Sequence, residues 1–145
     1  MTEQKIKDIR LLTYAGTLPF IACAMAMFLK LHIDGLNFAH ISSAYSAVII
    51  SFICGIHWAI YAFHQAACPR YVVITSNIIA LLAWVNVLIP PCYLSYAVNI
   101  ASFIILLMID QKIYHQARLP PWYYPLRFKI TIVVISSLCL TALFV

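Results

Sequence analysis

Four long runs of this chain, residues 11–29, 35–69, 71–109 and 130–145, contain no Asp, Glu, Lys or Arg. Only nine basic and four acidic residues are spread over 145 positions, and 65% of the chain is hydrophobic. A soluble monomer exposes contiguous apolar patches of at most a few hundred Å². Uninterrupted stretches of this length therefore exceed what one small core could hide. A bilayer core about 30 Å thick is crossed by roughly 20 apolar residues at 1.5 Å per residue. The runs match that length, so the expected class is all-α: a polytopic membrane protein built as a five-helix transmembrane bundle.

The expected spans are residues 11–31, 41–63, 71–89, 92–109 and 128–145, within a single transmembrane domain. Pro19 falls near the middle of the first. A polar connection with Asp34, Gly35 and Asn37 precedes the second. The 39-residue third run is too long for one crossing, and Pro90-Pro91 divides it. Proline has no amide donor and restricts the residue before it, so the pair should close one helix and open the next.

Five spans put Lys5, Lys7, Arg10, Arg70, Lys112, Arg118, Arg127 and Lys129 on one side and Lys30 alone on the other. Cytoplasmic connections carry the excess of Lys and Arg, so the N-terminus is expected in the cytoplasm and the C-terminus outside. The expected location is the bacterial inner (cytoplasmic) membrane, or the mitochondrial inner membrane in a eukaryote. Lys5, Lys7 and Arg10 before an apolar stretch also suit a signal peptide. That stretch continues past Cys23 to Leu31, however, and is long enough to be kept as a span. The net charge of +5 is read as topology signal and attraction to anionic headgroups. No basic stripe suits nucleic acid. The five cysteines form no CxxC pair, so neither a metal site nor a disulfide framework is expected.

In the second span Ser43, Ala47, Ser51, Gly55 and Ala59 recur every four residues. Membrane helices associate by close packing, so this lane is expected to meet another helix, with internal packing favoured over a partner subunit. Ser46, His57, Tyr61 and His64 lie on nearly the opposite face. An imidazole at the depth of His57 is either satisfied by neighbours or functional. Polar groups that could meet it are Asn77, which shares a face with Trp84, then Asn99 and Asp110, and finally Arg127 and Thr131. Asp110 and Arg127 flank one connection and suit a paired carboxylate and guanidinium. A structural clamp is favoured there over catalysis or transport. Trp122, Tyr123 and Tyr124 lie in a proline-rich stretch expected to be non-helical. They read as an interfacial anchor, with a lid over a polar cavity as the alternative.

There is no Gly-rich phosphate loop, HExxH or GxSxG. No catalytic residue, metal or cofactor is expected. The preferred function is a non-enzymatic accessory or assembly subunit of a larger inner-membrane complex. The alternative is a binder or carrier of a small amphipathic ligand (quinone, lipid or tetrapyrrole) in a cytoplasm-facing polar pocket. Expected partners are the lipid bilayer and, on the first reading, other membrane subunits or a second copy.

Five segments carry a family pattern: Tyr14-Ala15-Gly16-Thr17-Leu18-Pro19-Phe20, Ser51-Phe52-Ile53-Cys54-Gly55-Ile56-His57-Trp58, Leu82-Ala83-Trp84, Asp110, and Trp122-Tyr123 followed by Leu126-Arg127-Phe128-Lys129-Ile130-Thr131. This order resembles the bacterial integral-membrane family of unknown function numbered 3429, related to mitochondrial transmembrane protein 69. Departures are mild, with Thr17 and Ile130 in place of leucine-like residues and Cys54 in place of a small one. The resemblance implies a membrane location and marks Gly16, Pro19, Gly55, His57, Trp58, Trp84, Asp110, Trp122 and Arg127. It implies no activity. Tryptophan-rich sensory proteins also have five spans at about this size, but their motif order differs, which leaves an architectural analogy only.

Overall fold

A computed structural model describes residues 3–63, 69–116 and 119–145. Among the described residues six helices follow one another: α1 (Glu3–Ala15), α2 (Leu18–Phe28), α3 (Phe38–Phe63), α4 (Arg70–Val87), α5 (Tyr93–Gln116) and α6 (Tyr123–Ala142). No strand occurs among the described residues. The first two helices together make one segment, Glu3–Phe28, and the described residues hold five segments long and apolar enough to cross a membrane. Large apolar side chains such as Leu11, Phe52, Leu81, Leu94 and Met108 point outward from these segments. That is the surface of a protein whose solvent is hydrocarbon, and the chain is a multi-pass membrane protein.

The first span starts earlier than its apolar run, because the helix continues through the charged turns back to Glu3. Pro19 does not sit inside a continuous helix. It occupies the first turn of α2, where its missing amide costs nothing, and the chain breaks at Gly16-Thr17. A break in lipid leaves backbone groups that no water can satisfy. Here the Tyr45 hydroxyl donates to the Gly16 carbonyl at 3.1 Å, and the Thr17 hydroxyl donates to the Tyr14 carbonyl at 2.7 Å. The break is thereby pinned to α3. At its other end α2 closes with Leu31 N–H donating to the Ala26 carbonyl and Lys30 N–H donating to that of Met27. Lys30 takes the left-handed conformation this motif needs, with φ of 51°. The Asn37 side chain then accepts from the His40 amide and caps α3.

Pro90 and Pro91 separate α4 from α5 in the structure as in the sequence. The other connection differs from expectation. The fourth span does not end at Ile109 but runs on to Gln116, and the fifth opens at Tyr123, so Tyr123, Tyr124 and Pro125 are helical. Proline is tolerated in a first helical turn, and Pro125 is the third residue of α6.

Phe20, Ile50, Ile53, Phe103, Leu106 and Leu138 form the centre of the apolar core. A cluster of small polar side chains ties the end of α4 to the starts of α3 and α5. The Asn86 amide donates to the Asn99 side-chain oxygen at 3.0 Å and to the Ser95 carbonyl at 3.1 Å. The Asn99 amide donates to the Ser43 hydroxyl at 3.3 Å, and Tyr96 donates to the Ala39 carbonyl at 2.9 Å. Hydrogen bonds between membrane helices contribute about 1 kcal/mol each. Replacing Asn99 with Leu is therefore expected to destabilise the bundle by about 1–2 kcal/mol. The expected readout is a lower unfolding midpoint in mixed micelles with helix content unchanged.

Candidate functional site

The helix ends opposite that cluster meet around one carboxylate. Asp110, three-quarters of the way along α5, is wholly buried, and so is His57 near the end of α3. The His57 Nε2–H donates to Asp110 Oδ1 at 3.0 Å, since a carboxylate only accepts. Tyr123 donates its hydroxyl to the same oxygen at 3.0 Å. Arg127, one turn further along α6, donates from Nε to Oδ2 at 2.8 Å. The other imidazole nitrogen, Nδ1, lies 2.8 Å from the Ser76 hydroxyl on α4. Ser76, His57, Asp110, Tyr123 and Arg127 thus link α3, α4, α5 and α6 in one hydrogen-bonded chain.

Charge determines how the chain is arranged. A buried charge is tolerated only when paired and hydrogen-bonded. Asp110 and Arg127 cancel each other. A neutral His57 with its proton on Nε2 can accept at Nδ1 from Ser76, which leaves the paired ionic groups with no net charge. Removing one member is costly because the others remain buried without a partner.

The remaining expected residues are scattered. Asn77 faces outward and accepts from the Trp58 indole at 3.2 Å, away from the network. Trp84 is also on the outside, at 60% exposure. Tyr61 is half-buried against the apolar core, and Asn99 belongs to the polar cluster at the other end. Thr131 is buried beneath Arg127, and its hydroxyl has no partner among the described residues. His64 lies outside the described residues. The expected polar cavity lined by His57, Asn77, Asp110 and Arg127 therefore does not form: two of the four are sealed against each other and one faces out.

The small-residue lane divides in two. Ser43 and Ala47 are buried, whereas Ser51, Gly55 and Ala59 face outward. A Cβ placed on Gly55 would meet nothing within 4 Å. Internal packing does not hold for that half, because a four-residue repeat drifts around an α-helix of 3.6 residues per turn. Trp122 and Tyr124 are half-buried: Trp122 packs against the core, and Tyr124 stacks on Tyr114 with ring centroids 5.8 Å apart. Tyr123 is a member of the buried network rather than an interfacial anchor alone. Ser76 was missed because it adjoins Asn77. One residue turns an α-helix by 100°, and the buried face of α4 runs through Val72, Ser76, Ile79, Ala83 and Asn86. That apolar-and-small periodicity was the available signal.

Beside the network lies an apolar cleft of about 380 Å³ between α1, α2, α3 and α6. Leu12, Phe20, Ile53, Ile56, Trp122 and Ile130 are among its walls, and Tyr123 and Arg127 reach it from the network. Its size is within the range of small-ligand pockets, about 300–1,000 Å³. Arg127 is 8% exposed, and its Nη2 is buried without a hydrogen-bond partner among the described residues.

The molecule is a helical multi-pass membrane protein with an ionic knot buried at one end of its bundle. It belongs to the protein family of unknown function DUF3429, whose model matches residues 6–143. No curated protein and no solved structure matches the chain.

Asp110→Leu is expected to destabilise the bundle by about 3–5 kcal/mol, because Arg127 and His57 lose their acceptor. Adding Arg127→Met should recover a large part of that loss, since the pair is then replaced by apolar groups. Thermal unfolding of both variants in one detergent tests this. Additive losses would mean that the two residues act independently.

Proposed function

We propose that this protein is a non-enzymatic binder of a small amphipathic ligand, taken laterally from the bilayer into the cleft beside Arg127. This reading is carried by the conjunction of an apolar cleft with a nearly buried arginine in its lining, Arg127, whose Nη2 has no hydrogen-bond partner among the described residues. Ligand pockets combine mostly apolar walls with a few placed polar groups that fix orientation, and this cleft has that composition. The tail would lie against Leu12, Phe20 and Ile53, with the polar head toward Arg127 and Tyr123. A binding role without catalysis fits the network, because Asp110 and His57 are fully buried and occupied with each other. General acid–base work needs such groups within reach of a substrate proton.

The excess of Lys and Arg at the end where α1 begins supports an N-terminus in the cytoplasm and a C-terminus outside. The ligand head would then lie toward the cytoplasmic leaflet of a bacterial inner membrane, or toward the matrix leaflet in a mitochondrion.

A second reading, an accessory subunit of a larger membrane assembly, draws on the outward-facing Ser51, Gly55 and Ala59. Small residues let a partner helix approach closely. Gly55→Leu is expected to abolish co-purification with a larger assembly in mild detergent. Unchanged co-purification would remove that face from consideration.

The ligand reading is tested by native mass spectrometry of the gently solubilised protein and of Thr13→Phe. Thr13 lines the cleft and is not part of the ionic network. The expected result is a bound small molecule on the wild type that the Phe side chain excludes. Identical adducts of bulk phospholipid on both proteins would contradict the reading.

A further inference from the structure

Resting on the reading of the cleft as a ligand site, we propose that its ligand carries an uncharged carbonyl head, a quinone or ester type, and that the ionic knot selects against anionic amphiphiles. A guanidinium would by itself suggest an anion, but Arg127 is not alone. Its Nε is held by Asp110 at 2.8 Å, and that carboxylate is wholly buried. The two charges cancel, and His57 is neutral when Ser76 donates to its Nδ1. What remains is one nitrogen of a cleft-lining residue, the Arg127 Nη2, which is buried and has no hydrogen-bond partner among the described residues.

A neutral carbonyl oxygen would satisfy that donor and leave the local charge at zero. A carboxylate or phosphate in the same position would add an uncompensated negative charge close to Asp110, in surroundings made of Leu12, Phe20, Ile53 and Ile130. Burial of an unpaired charge in such surroundings is strongly unfavourable, and a like charge within a few ångströms adds to the penalty. The same geometry predicts how the preference can be reversed. Asp110→Asn removes the negative charge and leaves Arg127 uncompensated, so the cleft should then favour the anion.

The test uses 9,10-dibromostearic acid and its methyl ester, which share one tail and differ in head charge, at pH 9 so that the acid is ionised. Bromine quenches tryptophan on contact. Trp122 lines the cleft, so Trp58→Phe/Trp84→Phe leaves it as the sole reporter in nanodiscs. The ester is expected to quench Trp122 saturably, with an apparent Kd at least tenfold lower than that of the acid. Thr13→Phe should remove the saturable phase, and Asp110→Asn should reverse the order of the two probes. Equal or tighter binding of the acid by the wild-type network would overturn the neutral-head proposal while leaving the cleft a ligand site. Quenching by neither probe, or quenching that Thr13→Phe leaves unchanged, would overturn both. If Asp110→Asn does not fold, the ester-to-acid ratio on the unsubstituted network still decides.

Discussion

Three hydrogen bonds to one buried carboxylate hold this bundle together at its basic end. Asp110 accepts from His57 on α3 and from Tyr123 and Arg127 on α6, and His57 passes the connection to Ser76 on α4. Lipid offers no hydrophobic drive between helices, so van der Waals packing and interhelical polar contacts set which faces meet. A chain of donors and acceptors with no net charge is well suited to that task. It fixes the rotation of each helix about its own axis, because a turn of 100° would leave a charged group facing hydrocarbon. The Asn86, Asn99 and Ser43 cluster does the same at the other end without ionisable groups. The span α1–α2 lies outside both networks and is attached by Tyr45 at its break and by packing of Phe20 against Tyr45 and Phe103.

This division of labour explains where the cleft lies. Four spans are joined by the ionic knot, whereas α1 has no buried residue. The cleft lies between α1 and the helices joined to it, and Tyr123 and Arg127 of the network both line it. The guanidinium has five N–H donors, more than Asp110 can engage. The residue that neutralises the carboxylate also lines the apolar cleft, and its Nη2 is buried without a partner among the described residues.

Much of the architecture was legible in the sequence because it depends on run length and charge placement. The proline pair between α4 and α5 and the five spans follow from these directly. The pairing of Asp110 with Arg127 was also legible, since the two residues close and open helices joined by one connection. The ends of the spans were harder to read: α1 continues into charged turns, and α6 absorbs Pro125 in its first turn. Rotational detail was the least legible. Asn77 was expected inside and Ser76 was overlooked, although one residue separates them, because both are small polar groups and only packing chooses between them. Gly55 was expected to pack internally, but a strict four-residue repeat drifts out of the interface by its third member. Tyr123 was read as an interfacial anchor because its hydroxyl partner lies 13 positions away in sequence.

His57 donates from Nε2 to Asp110 Oδ1, and both side chains are wholly buried. Nitrogen-15 NMR of the imidazole in lipid bilayers reads this directly. The expected spectrum shows a single tautomer with its proton on Nε2, close to the Asp110 carboxylate carbon and protected from exchange with water. An imidazole that exchanges rapidly with solvent, or one with no proximity to Asp110, would contradict it.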